Sequence, residues 1–137
     1  MMEQDIIVDI KESQYGYFGG PGKMLLPSRA TVESMIRRVP PSMVITTDLL
    51  RKKMAKAFDV RGTCPVTTRK MLQTISNDPE CDAAYWRVIN QNGNLIAQNP
   101  GGIEAQDERL TQEGLSIEHK GNTARVRDFK ARIVDLG

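Results

Sequence analysis

The sequence predicts a mainly α-helical domain with a small β-hairpin wing, that is, a winged helix-turn-helix. Three observations carry this prediction. Apolar residues recur at helical spacing in two stretches, Val32, Met35, Ile36 and Val39, then Leu49, Leu50, Met54, Ala57 and Phe58. A short turn containing Gly62 leads into Pro65, a residue type favoured at the first position of a helix. Further on, strand-like residues flank Asn92-Gly93, a strong tight-turn signal.

Taken in order, residues 1–27 read as an N-terminal extension. A short strand is expected over 5–10. Tyr15, Tyr17 and Phe18 fall in a loop, because Gly16, Gly19, Gly20, Pro21 and Gly22 do not hold a regular element. Such aromatics more often tuck against a neighbouring surface; the alternative is stacking on bases. The main domain spans 28–118. Its first helix, 28–39, is capped by Ser28 or Thr31 and stopped by Pro40-Pro41. The second is capped by Thr46 or Thr47, with Asp48 in its first turn. Residues 59–64 form the turn, with Gly62 available for a positive backbone angle. The third helix runs from Pro65 to about Ser76, with Val66, Met71, Leu72 and Ile75 as core positions. As the reading helix it exposes Thr67, Thr68, Arg69, Lys70 and Gln73. A wing over 85–97 follows, with Trp86, Val88 and Ile89 on one strand and Leu95-Ile96 on the return. A helix over 103–113 stops at Gly114. Short strands are expected at 115–118 and 124–127, and residues 119–137 form a C-terminal extension packed on the domain.

Composition narrows the function classes. A chain of 137 residues with 39% hydrophobic and 26% charged residues is one globular domain. No apolar run approaches the ~20 residues of a membrane span. Glu3, Asp5 and Asp9 make the N-terminus unlike a signal peptide, so no membrane partner and a cytoplasmic location are expected. Cys64 and Cys81 are too few and too far apart for a zinc motif or a disulfide framework. The single histidine, His119, reads as a solvated turn residue and removes most histidine-based catalysis. No cofactor and no metal are expected.

Net charge is only +2, yet the charge is segregated. Over 37–70 there are nine basic and two acidic residues; over 78–118 there are eight acidic and two basic. A basic half beside an acidic half points to a polyanion-binding face, with a plain solvated surface as the alternative. On the second helix Arg51, Lys52, Lys53 and Lys56 would contact phosphates, which fix register without reading sequence.

The stretch 65–102 resembles the DNA-binding domain of the O6-alkylguanine-DNA alkyltransferases and their non-enzymatic relatives, the alkyltransferase-like proteins. Arg69 lies four residues after Pro65, Asn77 lies eight before Tyr85, and Gly101-Gly102 stands at the family distance from Glu113-Gly114. The similarity runs from about Val32 to Ile117. It implies the alkyltransferase C-terminal-domain fold, with Arg69 as the arginine finger that enters the duplex in place of a flipped guanine. Asn77 matches the hinge Asn, Arg87-Val88 the Arg-Val after the reactive site, and Glu113 the Glu that orients a His in the enzymes.

The departures concern chemistry. The family reads Pro-Cys-His-Arg-Val where this chain reads Ala84-Tyr85-Trp86-Arg87-Val88. Alkyl transfer needs a thiolate, and neither a phenol nor an indole supplies one at neutral pH. A family Tyr that pushes a DNA phosphate is replaced by the shorter Thr47. The resemblance puts Tyr85, Trp86, Asn77 and Glu113 around the base pocket; Tyr85 and Trp86 either stack a base or fill the pocket as core. The expectation is a non-catalytic protein that binds double-stranded DNA, as a sensor of alkylated DNA in repair, with a repair protein as a further partner. The alternative is a winged-helix interaction module that has lost DNA, its acidic half meeting a protein.

Overall fold

The structure, a computed structural model, describes residues 4–136; Glu3 of the acidic N-terminus lies outside them. The chain is mixed α/β rather than mainly α. Its order is β1 (Ile6–Asp9), a 3-10 turn (Glu12–Gln14), α1 (Tyr15–Phe18), β2 (Lys23–Leu26), α2 (Arg29–Arg37), β3 (Ile45–Thr46), α3 (Thr47–Ala57), β4 (Gly62–Thr63), α4 (Pro65–Ser76), a 3-10 turn (Tyr85–Arg87), β5 (Val88–Ile89), α5 (Gly102–Gln112), β6 (Ile117–Lys120), β7 (Thr123–Val126) and a last 3-10 turn (Phe129–Arg132). The strands are two to four residues long and several pair far along the chain, so no local period announces them.

The N-terminal segment builds a sheet in the order β1-β2-β4, antiparallel then parallel. Asp5 joins it to α2: one carboxylate oxygen accepts from the Ser28 amide at 2.8 Å, the other from the Thr31 hydroxyl at 2.8 Å. Ser28 caps α2 as expected, accepting from the Thr31 amide at 3.2 Å. The turn before α4 differs from expectation. Its positive φ falls on Asp59 (53°), and Gly62 pairs with Met24 instead. Glycine is needed at 62 because Phe18 lies over it: a Cβ there would stand 2.5 Å from the ring.

The short parallel pair β3–β5 separates two apolar clusters. Its registered residues Ile45 and Val88 face one cluster with Leu50, Met54, Met71 and Ile75. Their neighbours Val44 and Ile89 face the other with Leu95, Leu110 and Val126, as the two-residue strand period requires. Val44 is further tied to the tail: its amide donates to Arg132 O and its carbonyl accepts from Val134 N, each at 2.9 Å.

The predicted wing over 85–97 is not a hairpin. The Asn92-Gly93 turn forms, with the Gly93 amide donating to Asn90 O at 2.8 Å. However, β5 is taken by β3, and Leu95 turns away to donate its amide to Ala124 O at 2.8 Å. Gln106, buried on α5, stands where further ladder bonds would be. Its oxygen accepts from Ile96 N at 2.7 Å, and its amide nitrogen donates to Trp86 O at 2.9 Å and Val88 O at 3.0 Å. The antiparallel hairpin is β6–β7, near the C-terminus.

Helices α3 and α4 follow one another through a turn and β4, with three corrections to their expected faces. Ala55 is buried in place of Ala57. Val66 is exposed rather than core, and Thr68 is buried rather than exposed. One helical face carries Thr68, Met71 and Ile75 at i, i+3 and i+7; Val66, two positions earlier, points away from it.

Candidate nucleic-acid interface

The structure divides the basic residues into two sets. Arg29 meets Glu33 at 2.6 Å and Asp78 at 2.5 Å, and Arg37 meets Asp82 at 2.6 Å. These bonds hold the Asp78 and Asp82 carboxyls below the usual carboxylate range. Arg38 donates to the Leu136 carbonyl at 3.1 Å. Much of the acidic half is paired in the same way. Asp107 meets His119 Nε2 at 2.8 Å, with His119 on β6 rather than in a turn, and Glu118 faces Arg125 and Arg127 at 3.4 and 3.6 Å.

The second set lies on α3 and α4. Among the described residues, no ion pair holds Arg51, Lys52, Lys53, Arg69 or Lys70. Lys52, Lys56, Arg69 and Lys70 are exposed, while Arg51 and Lys53 are half-buried. Unpaired cations on two adjoining helices make a face on which phosphates need displace no carboxylate.

A cavity of about 180 Å³ opens beside this face. Helix α3 contributes Thr47 and Arg51, and α4 contributes Pro65, Thr68, Arg69, Leu72 and Gln73. The opposite wall is Tyr85, Val88, Asn90, Ile96, Gln98 and Asn99. The Thr68 hydroxyl donates its proton to Cys64 O at 2.8 Å, so toward the cavity it can act only as an acceptor. Asn99 Nδ2 is buried and has no hydrogen-bond partner, which leaves a donor in a residue of the wall. Neither Cys64 nor Cys81 lines the cavity.

Tyr85 and Trp86 part company. Tyr85 lines the cavity and packs on the first cluster, while Trp86 packs on the second, its ring 5.4 Å from that of Tyr85 and edge-on to it. The Trp86 indole N–H donates to Glu113 at 3.1 Å. Arg87 closes on the same carboxylate at 2.6 Å and donates to Val39 O at 2.7 Å. The Arg109 guanidinium lies over the Trp86 ring, 4.5 Å from its centroid. Burial pushes the Glu113 carboxyl up, but the Arg87 and Trp86 bonds outweigh it and hold the group below its ordinary value.

Of the residues expected to touch DNA, the structure brings together Thr47, Arg51, Thr68, Arg69 and Gln73 at the cavity. Lys70, Gln73 and Asn77 line a shallow depression on the outer side of α4, and Thr67 is half-buried beside Arg69. Arg87, expected at the DNA as well, is instead paired with Glu113 and donates to Val39 O inside the fold. Of the expected pocket residues only Tyr85 lines the cavity. Asn77 caps α4, its amide donating to Gln73 O at 2.8 Å, and Trp86 and Glu113 sit behind the wall in their own network. Sequence reasoning missed Asn90, Gln98 and Asn99. The polar run Gln98-Asn99-Pro100 just before Gly101-Gly102 was the signal for a loop returning to the site.

No protein-family model matches the sequence, and no curated protein matches it. Solved structures do. The fold is similar to that of S. pombe Atl1 in a crystal structure with damaged DNA containing O6-carboxymethylguanine, with a TM-score of 0.59 and 21% identity over 78% of this chain and 94% of that one. It is similar also to S. pombe ATL in a crystal structure with DNA, with a TM-score of 0.60 and 20% identity over the same shares. The resemblance read from residues 65–102 therefore stands as a likeness of fold: this chain folds as the alkyltransferase-like protein Atl1 does.

Proposed function

We propose that this chain is a non-catalytic protein that binds duplex DNA and takes an alkylated base into the cavity between α4 and the segment 85–99. The observation that carries this reading is Arg69, an exposed, unpaired guanidinium at the rim of a cavity that Tyr85 lines where alkyl transfer would need a thiol. A planar cation beside such a cavity suits a side chain that fills the gap left by an extruded base. The fold shared with Atl1, which was crystallised with O6-carboxymethylguanine DNA, supports the same ligand class. Arg51, Lys52, Lys53, Lys56 and Lys70 hold phosphates in this reading, and no residue of the cavity provides the thiolate of an alkyl acceptor.

Fluorescence anisotropy with paired duplexes, one carrying a single O6-methylguanine, tests it. Binding that favours the lesion is expected. With roughly six phosphates neutralised, log affinity should fall against log salt with a slope near −5. Arg69→Ala should erase the lesion preference. Equal affinity for both duplexes would mean that the cavity takes no base, and no binding at low salt would overturn the proposal.

A further inference from the structure

A second cleft, of about 500 Å³, lies on the far side of Arg51 from the cavity. Its walls are α1, α3 and residues 60–63, which include β4, and Arg51 lines both hollows. The cleft presents Arg51, Lys52, Lys56 and Arg61 against one acid, Asp48. It also presents an aromatic ring that the fold does not bury. Tyr17 is 61% exposed, among the few large apolar side chains left outside.

That exposure is held in place. Tyr17 stands edge-on to Phe18 with ring centroids 4.8 Å apart. Phe18 is seated on Gly62, and its carbonyl accepts from Arg61 Nη1 at 3.4 Å. Helix α1, which forms where the sequence predicts a loop, thus gives its two neighbouring aromatics opposite tasks: Phe18 anchors and Tyr17 is shown to solvent. A fixed ring beside several cations is the pairing that holds unpaired nucleotides, by stacking on the base and attraction to the backbone. A site for phosphate alone would have no use for the ring.

We propose that this cleft binds a single-stranded DNA segment adjoining the duplex, with one base stacked on Tyr17 and the backbone held by Arg51, Lys52 and Arg61. It rests on the reading above only in that α3 faces DNA. The shared Arg51 makes the path continuous, so a strand leaving the duplex beside the cavity passes into the cleft.

The test compares anisotropy of a blunt duplex with the same duplex bearing a 5′ or a 3′ overhang of a few nucleotides. One overhang polarity should bind about five- to hundredfold more tightly. Tyr17→Ala should remove that gain and leave blunt-duplex affinity unchanged, while Tyr17→Trp retains it. Arg61→Ala should lower the salt slope for the overhang duplex by about 1 and not for the blunt one. The inference is overturned if neither overhang adds affinity, or if the gain survives Tyr17→Ala. The two proposals fail separately. Lesion-selective blunt duplex binding with no overhang gain leaves the first standing alone; Tyr17-dependent overhang binding without blunt binding leaves the second.

Discussion

Arg69 and Arg87 are both arginines of the central stretch, and the fold uses them in opposite ways. Arg69 stands exposed at the cavity rim with no carboxylate partner among the described residues. Arg87 is 14% exposed, clamped to Glu113 and to the Val39 carbonyl. One is a cation held ready for something outside the chain; the other is a fastener between α5, the 3-10 turn before β5 and the end of α2. The contrast extends to their surroundings. Among the described residues no ion pair holds Arg51, Lys52, Lys53, Arg69 or Lys70 on α3 and α4, whereas Trp86 and Arg87 are both bonded to Glu113. An exposed arginine and a structural joint can therefore share a residue type and differ only in whether the partner is internal.

The sharpest way to break this comparison is to exchange the consequences. Arg87→Ala strands a partly buried carboxylate and an unpaired carbonyl, and should cost about 2–4 kcal/mol in chemical denaturation. Arg69→Ala should stay within about 0.5 kcal/mol of the parent. Equal losses would show that Arg69 too is structural. Next in size, Gln106→Leu removes the group that satisfies Ile96 N, Trp86 O and Val88 O, and should destabilise by about 1–3 kcal/mol.

Acid sharpens the same contrast. Because the Glu113 carboxyl sits below its ordinary value of 4.5 in the folded chain, its pairing contributes in full above that value. The contribution is lost as pH falls through the lower, folded value. Stability curves measured from neutral to acid pH should therefore drop less steeply in Glu113→Gln than in the parent, from a lower neutral plateau. The smallest effect belongs to the binding face: Lys52→Ala should weaken all duplexes alike, reduce the salt slope by about 1 and leave the melting temperature unchanged.

Helices were legible in the sequence because their signals are local. Ser28 caps α2, Pro65 begins α4, and the stripes of α2 and α3 hold nearly throughout. The errors on α4 came from reading the run Thr67 to Lys70 as polar and hence exposed. Spacing from Met71 and Ile75 already placed Thr68 on their face. The strands were harder for a different reason. A two-residue ladder such as β3–β5 joins Ile45 to Val88 and has no periodicity to detect. The hairpin expected at 85–97 failed on distant partners, since only the fold brings β3 to Val88, Ala124 to Leu95 and Gln106 to Ile96. Of the residues that line the candidate cavity, Arg69, Arg51 and Tyr85 were named from the sequence. The internal pairing of Arg87 was not, because nothing near it in the chain reveals Glu113.

The bonds from Val44 to Arg132 and Val134 have a consequence for biosynthesis. They fix Val44, just before β3, yet its partners are made roughly ninety residues later, so closure waits on a long stretch of chain. In a nascent chain stalled before residue 130, α2 can already pack while the start of α3 is still unstrapped. Brief proteolysis of such ribosome-bound chains should cut near Val44 and spare the released protein. On this account the start of α3 is among the last parts of the described chain to be fixed in place.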